Sequence, residues 1–440
     1  MHKGTKIFIG FALVMLIATL FFGMLASFSY LNPEFYNQYI PFYQLRPMHV
    51  SAALFWIIGG ATSCLLFLKK DVSEVGAQRT VAERVFINLW MLTVVVIFIF
   101  YSFKKFGGRE YWEFPPYLCF PLLISWLALM IAWFKAWGKA KEYPLYVWMW
   151  TSGICFFLFT FLEQNLYQIP YFREAFLREV IVQWKSNGSM VGSWNQIIYG
   201  LSLFLMVKLT GDSSIAKSKT AFYFFFLSLS NMMFNWGHHI YNVPSASWLR
   251  DVAYGISMTE WLFFIKMIQG FKEKMDTRNR LRHLFTFKLI VASEVWVFFN
   301  LLLALMMSIP AINRYTHGTH ITVAHAMGTT IGINTMILLA AMSYILKIDD
   351  MGKNKKRGMI FGYYLAQISL GVFWIALIIA GFLKGTRQFE FPNITYQELM
   401  VPVNFWLRVL SFSGAFLFAG FLMMLRGYFK AMKENDLMAQ

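Results

Sequence analysis

Six of the chain's eight histidines, His49, His238, His239, His317, His320 and His325, stand at or beside the ends of long apolar stretches. The other two, His2 in the N-terminal tail and His283 in a loop, need no special explanation. Within a bilayer an imidazole is costly unless it ligates or hydrogen-bonds something. Any one of the six could be a core histidine bonded to a backbone carbonyl. As a set, on spans far apart in sequence, they fit a metal or haem site better. Neutral imidazole is the usual axial ligand of b-type haem iron, and methionine sulfur is the common alternative. His325-Ala326-Met327 sets two potential ligands on one helix about 200° apart, so each face could serve a different haem. His238-His239, before Asn242 and Pro244, can aim two imidazoles at one non-haem metal.

The elements that must position these groups are membrane spans. The chain has 440 residues and is 58% hydrophobic, 19% aromatic and only 14% charged, far from the composition of soluble proteins. A water-soluble enzyme is excluded. The net charge of +17 is too scattered for a nucleic-acid groove, so no nucleic-acid partner is expected; basic loops facing anionic lipid account for it. Three cysteines, with no CxxC and no CxxCH, exclude a disulfide framework, a thiolate zinc site and covalently attached c-type haem. A spanning helix needs about 20 mostly apolar residues, and twelve segments qualify: 7–29, 48–68, 86–104, 115–136, 145–168, 191–210, 220–242, 249–270, 284–308, 321–346, 358–383 and 402–426. Residues 7–29 read as a span rather than a cleaved signal, because no small-residue cleavage site follows. No loop is long enough for a soluble domain. The expectation is an all-α, twelve-helix bundle forming a single polytopic membrane domain over 1–440.

Most lysines and arginines fall on one side of that topology, including Lys69, Lys70, the run from Lys272 to Arg282 and the run from Lys353 to Arg357. By the positive-inside rule both termini are cytoplasmic, and a bacterial inner membrane is expected. The histidines then gather at the outer ends of their helices. Glu163, Glu260 and Glu294 are the carboxylates within spans. Such groups mark proton routes or ion sites, or stay neutral and hydrogen-bonded between helices. Glu110 and Glu113, in an outer loop, could bind a divalent ion such as calcium or admit protons, or simply be solvated. Lys288 and Thr286 are too few to make a cytoplasmic proton channel. Outer-side proton uptake without pumping is therefore expected.

Together, Arg46-Pro-Met-His49 with Trp56, Gly237-His238-His239-Ile-Tyr241, His317-Gly-Thr-His320-Ile-Thr-Val-Ala-His325 and Gly108-Arg109-Glu110-Tyr-Trp-Glu113 resemble the catalytic subunit of the haem-copper oxidase superfamily. The particular likeness is to its nitric oxide reductase branch, the cytochrome c-dependent large subunit. The resemblance covers essentially the whole chain. It implies two b-type haems, with His49 a ligand of the low-spin haem and His325 the proximal ligand of the high-spin haem. It implies His238 and His239 as ligands of a second metal, which is non-haem iron in the reductases. His317 would sit by haem propionates or an interface ion, Glu110 would serve an outer-surface metal, and Glu260 would stand near the iron. A separate cytochrome c subunit or quinol would supply electrons.

Two positions depart from that pattern. The family has a second low-spin haem histidine where this chain has Met327; a His/Met pair generally raises the haem potential. In span six, Asn195 and Tyr199 occupy the frame in which the family keeps a histidine and, four residues later, a glutamate or tyrosine. They lie one turn apart on one face. An amide oxygen is a far weaker metal ligand than imidazole, so the metal would be loosely held, different or missing. With no histidine before it, Tyr199 cannot form the covalent histidine–tyrosine link of oxygen reductases. The expected activity is reduction of 2 NO to N2O, with Glu260, Asn195 and Tyr199 in the catalytic set. The alternatives are NO dismutation to N2 and O2, which the family associates with a histidine-to-asparagine exchange, an oxygen reductase-like or catalytically altered haem subunit, a gas sensor, or a transporter with histidines in its path.

Overall fold

The computed structural model describes residues 3–71, 80–136, 143–234, 236–237 and 244–437. Helices stand at all twelve expected positions. They are α1 (Lys3–Ser29), α2 (Phe42–Leu68), α3 (Val81–Ser102), α4 (Cys119–Phe134), α5 (Leu145–Gln164) and α6 (Phe176–Thr210), followed by α7 (Lys219–Phe234), α8 (Ser247–Lys274), α9 (Leu284–Ser308), α10 (His320–Leu346), α11 (Lys353–Glu390) and α12 (Tyr396–Leu437). Among the described residues ten helical segments are long and apolar enough to cross a membrane. The exceptions are α7, of which 16 residues are described, and α8, which carries Arg250, Asp251, Glu260 and Lys266. Large apolar side chains such as Ile368 (67% exposed) and Phe405 (61%) face outward, as a lipid-facing surface requires. The chain is an all-α, multi-pass membrane protein.

Several helices begin earlier than their apolar runs, and at two of them the extension carries candidate site residues or a charged turn. α2 starts at Phe42, through Gln44, Arg46 and Pro47, so His49 lies in its second turn. Pro47 has no N–H to give the carbonyl of Tyr43, which loosens the helix just before that histidine. α6 starts at Phe176, and its first turns are rich in Arg178, Glu179, Gln183 and Lys185. Hydropathy stops where such residues begin; helix propensity does not.

The helices form two compact units, residues 1–12 with 57–283 and residues 13–56 with 284–440. In the first, α5 and α6 approach through glycines: a Cβ on Gly153 would meet the Ser193 carbonyl oxygen at 2.7 Å, and one on Gly200 the Trp150 ring at 2.7 Å. Lys69 and Glu83, both buried, pair where α2 ends and α3 begins. Thr80 caps α3 by accepting the Glu83 N–H at 3.2 Å, an arrangement worth about 1 kcal/mol. Beyond α6, Asp212 accepts the Ser214 N–H at 2.8 Å and the Lys274 ammonium at 2.8 Å. Those donors pull its carboxyl down to about 2.

In the second unit α11 and α12 lie backbone to backbone, with Gly362 packed on the Gly420 carbonyl. Asp349 accepts the Phe285 N–H at 2.7 Å and the Thr286 N–H at 3.2 Å, satisfying the start of α9. α10 is launched by a left-handed turn at Gly318 (φ 70°) and a Thr319 cap that accepts the Ile321 N–H at 3.2 Å. Its first turn then beds on Gly381 of α11, and the short helix before it on Gly385, where a Cβ would strike the Ile321 and Tyr315 backbone respectively. Around it Ile321, Ala324, Leu377, Ala380, Val403 and Leu407 form one buried apolar cluster.

Candidate haem and metal site

His49 is held by its own unit. Its Nδ1 lies 2.8 Å from the Thr19 carbonyl oxygen on α1. A carbonyl only accepts, so Nδ1 carries the proton and the Nε2 lone pair is free for a metal. Gly23, one turn after Thr19, leaves room for the ring: a Cβ there would come within 2.7 Å of His49 Cε1 and Nδ1. Two turns along the same face of α2, Trp56 donates its indole N–H to Thr335 Oγ1 at 2.9 Å. The ring orientation, free nitrogen and glycine clearance suit an axial haem ligand.

α10 changes pitch immediately after its two candidate ligands. It is α-helical over His320–Met327, π-helical over Gly328–Thr335 and α-helical again over Met336–Leu346. Such π segments are rare and are found frequently at functional sites. The widened turn is stitched by Thr335 Oγ1 donating to the Thr330 carbonyl at 2.8 Å. Asn300, wholly buried on α9, donates to the His325 carbonyl at 3.0 Å and to Thr329 Oγ1 at 2.7 Å. Gly328 makes way for that amide. Half-buried Met327 packs on the apolar cluster, while His325 is turned to the other side of the α-helical segment, as the two-residue spacing requires. His317 is exposed at the turn before α10, and His320 is half-buried.

The other unit gathers a second set. Glu260 on α8 is 1% exposed and accepts from both Ser228 Oγ and Asn231 Nδ2 of α7. The Asn231 carbonyl oxygen in turn accepts the Ser257 hydroxyl at 2.8 Å. Tyr199, wholly buried, packs its ring on Phe264 at 4.9 Å and on Phe224 at 5.3 Å, within electrostatic reach of Glu260. Asn195 lies one turn before Tyr199 on α6, half-buried. His238, His239 and Tyr241 lie outside the described residues. Among the described residues no three His, Cys, Asp or Glu side chains gather as a metal site. A cation at Glu110 would therefore need carbonyl or amide oxygens as well.

The loop carrying Glu110 is a tight reversal. Gly107 and Gly108 donate to the Glu113 carbonyl at 3.2 and 3.4 Å, Tyr111 has a positive φ of 77°, and Gln164 Nε2 donates to the Glu110 carbonyl at 3.1 Å. Of the remaining acids, Glu163 pairs with Lys185 and Glu294 is buried on α9. Sequence reasoning passed over Thr19, Gly23, Ser228, Asn231, Ser257 and Asn300. Asn300 carried a usable signal as the lone amide within its apolar span, and Asn231 a weaker one, since Asn235 and Asn242 share its span. Thr19 and Gly23 carried none, because one acts through its backbone and the other by lacking a side chain.

The family model for cytochrome c and quinol oxidase polypeptide I matches residues 3–417. The chain is 24% identical over 402 residues to cytochrome c oxidase subunit 1 of Rhodobacter capsulatus, covering 84% of this chain and 74% of that one. It is 22% identical over 450 residues to a nitric oxide reductase subunit of Stutzerimonas stutzeri, covering 93% and 90%. A solved haem-copper terminal oxidase dimer superposes with a TM-score of 0.71 at 12% identity, over 98% of this chain and 84% of that one. With its helices in the expected places and the family model running along almost its whole length, the chain belongs to the cytochrome c and quinol oxidase polypeptide I family, in the haem-copper oxidase superfamily.

Proposed function

We propose that this membrane oxidoreductase acts on nitric oxide, reducing 2 NO with two electrons and two protons to N2O and water. The observation that carries the reading is Glu260, a buried carboxylate fixed by Ser228 and Asn231 in reach of Tyr199. It can receive a proton and pass it to a reacting oxygen. His49 and Met327 would hold a low-spin b-type haem and His325 a high-spin one, with His238, His239 and Asn195 on a non-haem metal, iron first. Bound there, these groups supply electron transfer and gas binding.

The chain's own residues do the rest. Thr19 fixes the His49 tautomer, Asn300 anchors the backbone that carries His325, and the apolar helix faces keep bulk water out. Tyr199 and Glu260 handle protons. His317 would lie by the haem propionates, and Glu110 would bind calcium at the outer surface. Electrons would come from a cytochrome c subunit or quinol, in a bacterial inner membrane with both termini cytoplasmic.

A second reading is favoured by Asn195, the amide in place of a metal-binding imidazole: dismutation of NO to N2 and O2, which needs no net electrons. Isotopically labelled NO given to purified protein separates the two. N2O formed with consumption of reductant supports reduction, and N2 with O2 supports dismutation. Failure to consume NO with reductant present overturns both.

A further inference from the structure

α9 and α10 meet through two glycines, of which the functional reading uses only one. Trp296 and Asn300 stand four residues apart on one face of α9, 5% and 0% exposed. Opposite them, Gly328 and Gly332 stand four residues apart at the start and in the middle of the π-helical segment of α10. A Cβ on Gly328 would lie 2.5 Å from Asn300 Oδ1, and one on Gly332 would lie 2.6 Å from Trp296 Cδ2. Each glycine is the seat of one α9 side chain, and the indole fills the second seat. It is tied as well as seated. Its N–H donates to Gln367 Oε1 of α11 at 2.8 Å, and the Gln367 amide donates to Met336 Sδ at 3.1 Å. Met336, wholly buried, is the first residue after the π segment. Phe299 and Trp374 back the ring edge-on, with centroids 6.5 and 6.1 Å away.

The segment has little preference of its own for an α-helix. Gly328-Thr-Thr-Ile-Gly332-Ile-Asn-Thr335 holds two glycines and three threonines, all poor helix formers. A π turn takes an extra residue into the helix, which rotates everything beyond it by about 100° relative to an unbroken α-helix. The far side of the turn is fixed by Trp56 on Thr335 at 2.9 Å and by Gln367 on Met336. The near side is fixed by Asn300 on the His325 carbonyl at 3.0 Å. Closing the turn to α must break one of these bonds, and the rotation then changes how His325 and Met327 stand relative to Trp56.

We propose that Trp296 is a positioning residue: an indole wedge on Gly332 that holds the π turn open and so sets the angle between the ligand-bearing start of α10 and α2, which carries His49 two turns before Trp56. The consequence for haem rests on the ligand roles proposed above; the wedge does not.

The full-length protein in nanodiscs tests it by two readouts, neither of which is turnover. One is a high-resolution density map of α10. The other is the EPR spectrum of the oxidised low-spin haem, whose g values follow the orientation of its axial ligands. Gly332→Ala puts a methyl where the ring sits and favours the α form. Trp296→Ala removes the wedge, and Trp296→Leu is the milder variant should the alanine protein not fold. Trp296→Phe keeps a ring in the seat and loses only the N–H. Gly332→Ala and Trp296→Ala should show residues 328–335 α-helical, with the Trp56–Thr335 or the Asn300–His325 hydrogen bond broken and the low-spin signal shifted or lost. Trp296→Phe should keep both the π turn and the signal. A π turn intact in the disrupting variants overturns the proposal, and so does a closed turn with an unchanged low-spin spectrum. If the unaltered protein has no low-spin haem, the ligand assignment fails, and the map alone supports or overturns the wedge.

Discussion

A methyl group on Gly23 would lie 2.7 Å from both Cε1 and Nδ1 of His49. Heavy atoms do not share that distance without a hydrogen bond, so the ring must turn away, and in turning it leaves the Thr19 carbonyl that fixes its tautomer.

If His49 ligates a low-spin haem, Gly23→Ala should remove that haem while sparing the fold. Losing an outer-shell hydrogen bond typically costs about 10- to 100-fold in affinity for the bound metal group. Haem extraction should show both Gly23→Ala and His49→Ala losing one haem, and the oxidised low-spin EPR signal should disappear with it. Retention of both haems would mean that His49 is only a buried structural histidine bonded to α1.

Met327 allows a sharper separation of ligand from packing. It packs against the buried cluster that includes Ile321 and Val403, and Met→Leu nearly conserves volume, usually costing under about 1.5 kcal/mol. If sulfur binds iron, Met327→Leu turns the low-spin haem high-spin with little change in melting temperature. Met327→His should keep it low-spin and lower its potential, since His/His haems generally sit below His/Met ones. An unchanged spectrum in Met327→Leu leaves the side chain as packing alone.

The uneven legibility of these positions has a physical cause. Ten of the twelve helix positions could be read because a spanning segment must be predominantly apolar, a strong local signal that α7 and α8 carry less fully. The ends of α2 and α6 could not, because Gln44, Arg46 and the charged turn around Arg178 and Lys185 are helical for reasons hydropathy does not measure. Side chains with ligand chemistry, such as His49, His325 and Glu260, were visible as types too costly to bury idly. Their holders were not: the Thr19 carbonyl, the space at Gly23 and the π turn from Gly328 to Thr335 belong to backbone and packing, which sequence spacing does not encode.

Glu260→Gln keeps the shape and removes the proton carrier. It also turns an amide N–H2 toward Ser228 or Asn231, both of which already donate. The mismatch should cost about 1–3 kcal/mol, visible as a modest fall in melting temperature. Turnover should drop far more than stability, by about 100-fold or more if Glu260 is the general acid, with haem content unchanged. Full activity in Glu260→Gln would reduce the residue to a helix–helix hydrogen bond joining α7 and α8.

Asn195→His bears directly on which reaction the protein performs. An amide oxygen holds iron weakly, whereas imidazole suits iron, copper and zinc. The position is half-buried on α6, one turn before Tyr199. If Asn195 completes a metal site with His238 and His239, the substitution should raise retention of non-haem iron against chelator by about 10- to 100-fold, the range that changes around a metal ligand produce. Mass-spectrometric metal analysis of dialysed protein measures it. The gas products then distinguish two roles for the amide. If loose coordination serves dismutation, tightening the metal should suppress N2 and O2 and leave N2O as the product. If the amide is only a weak substitute in a reductase, N2O formation should rise with iron content and no O2 should appear in either protein. Metal retention that does not respond to the imidazole would separate Asn195 from the metal altogether, and with it the argument for dismutation.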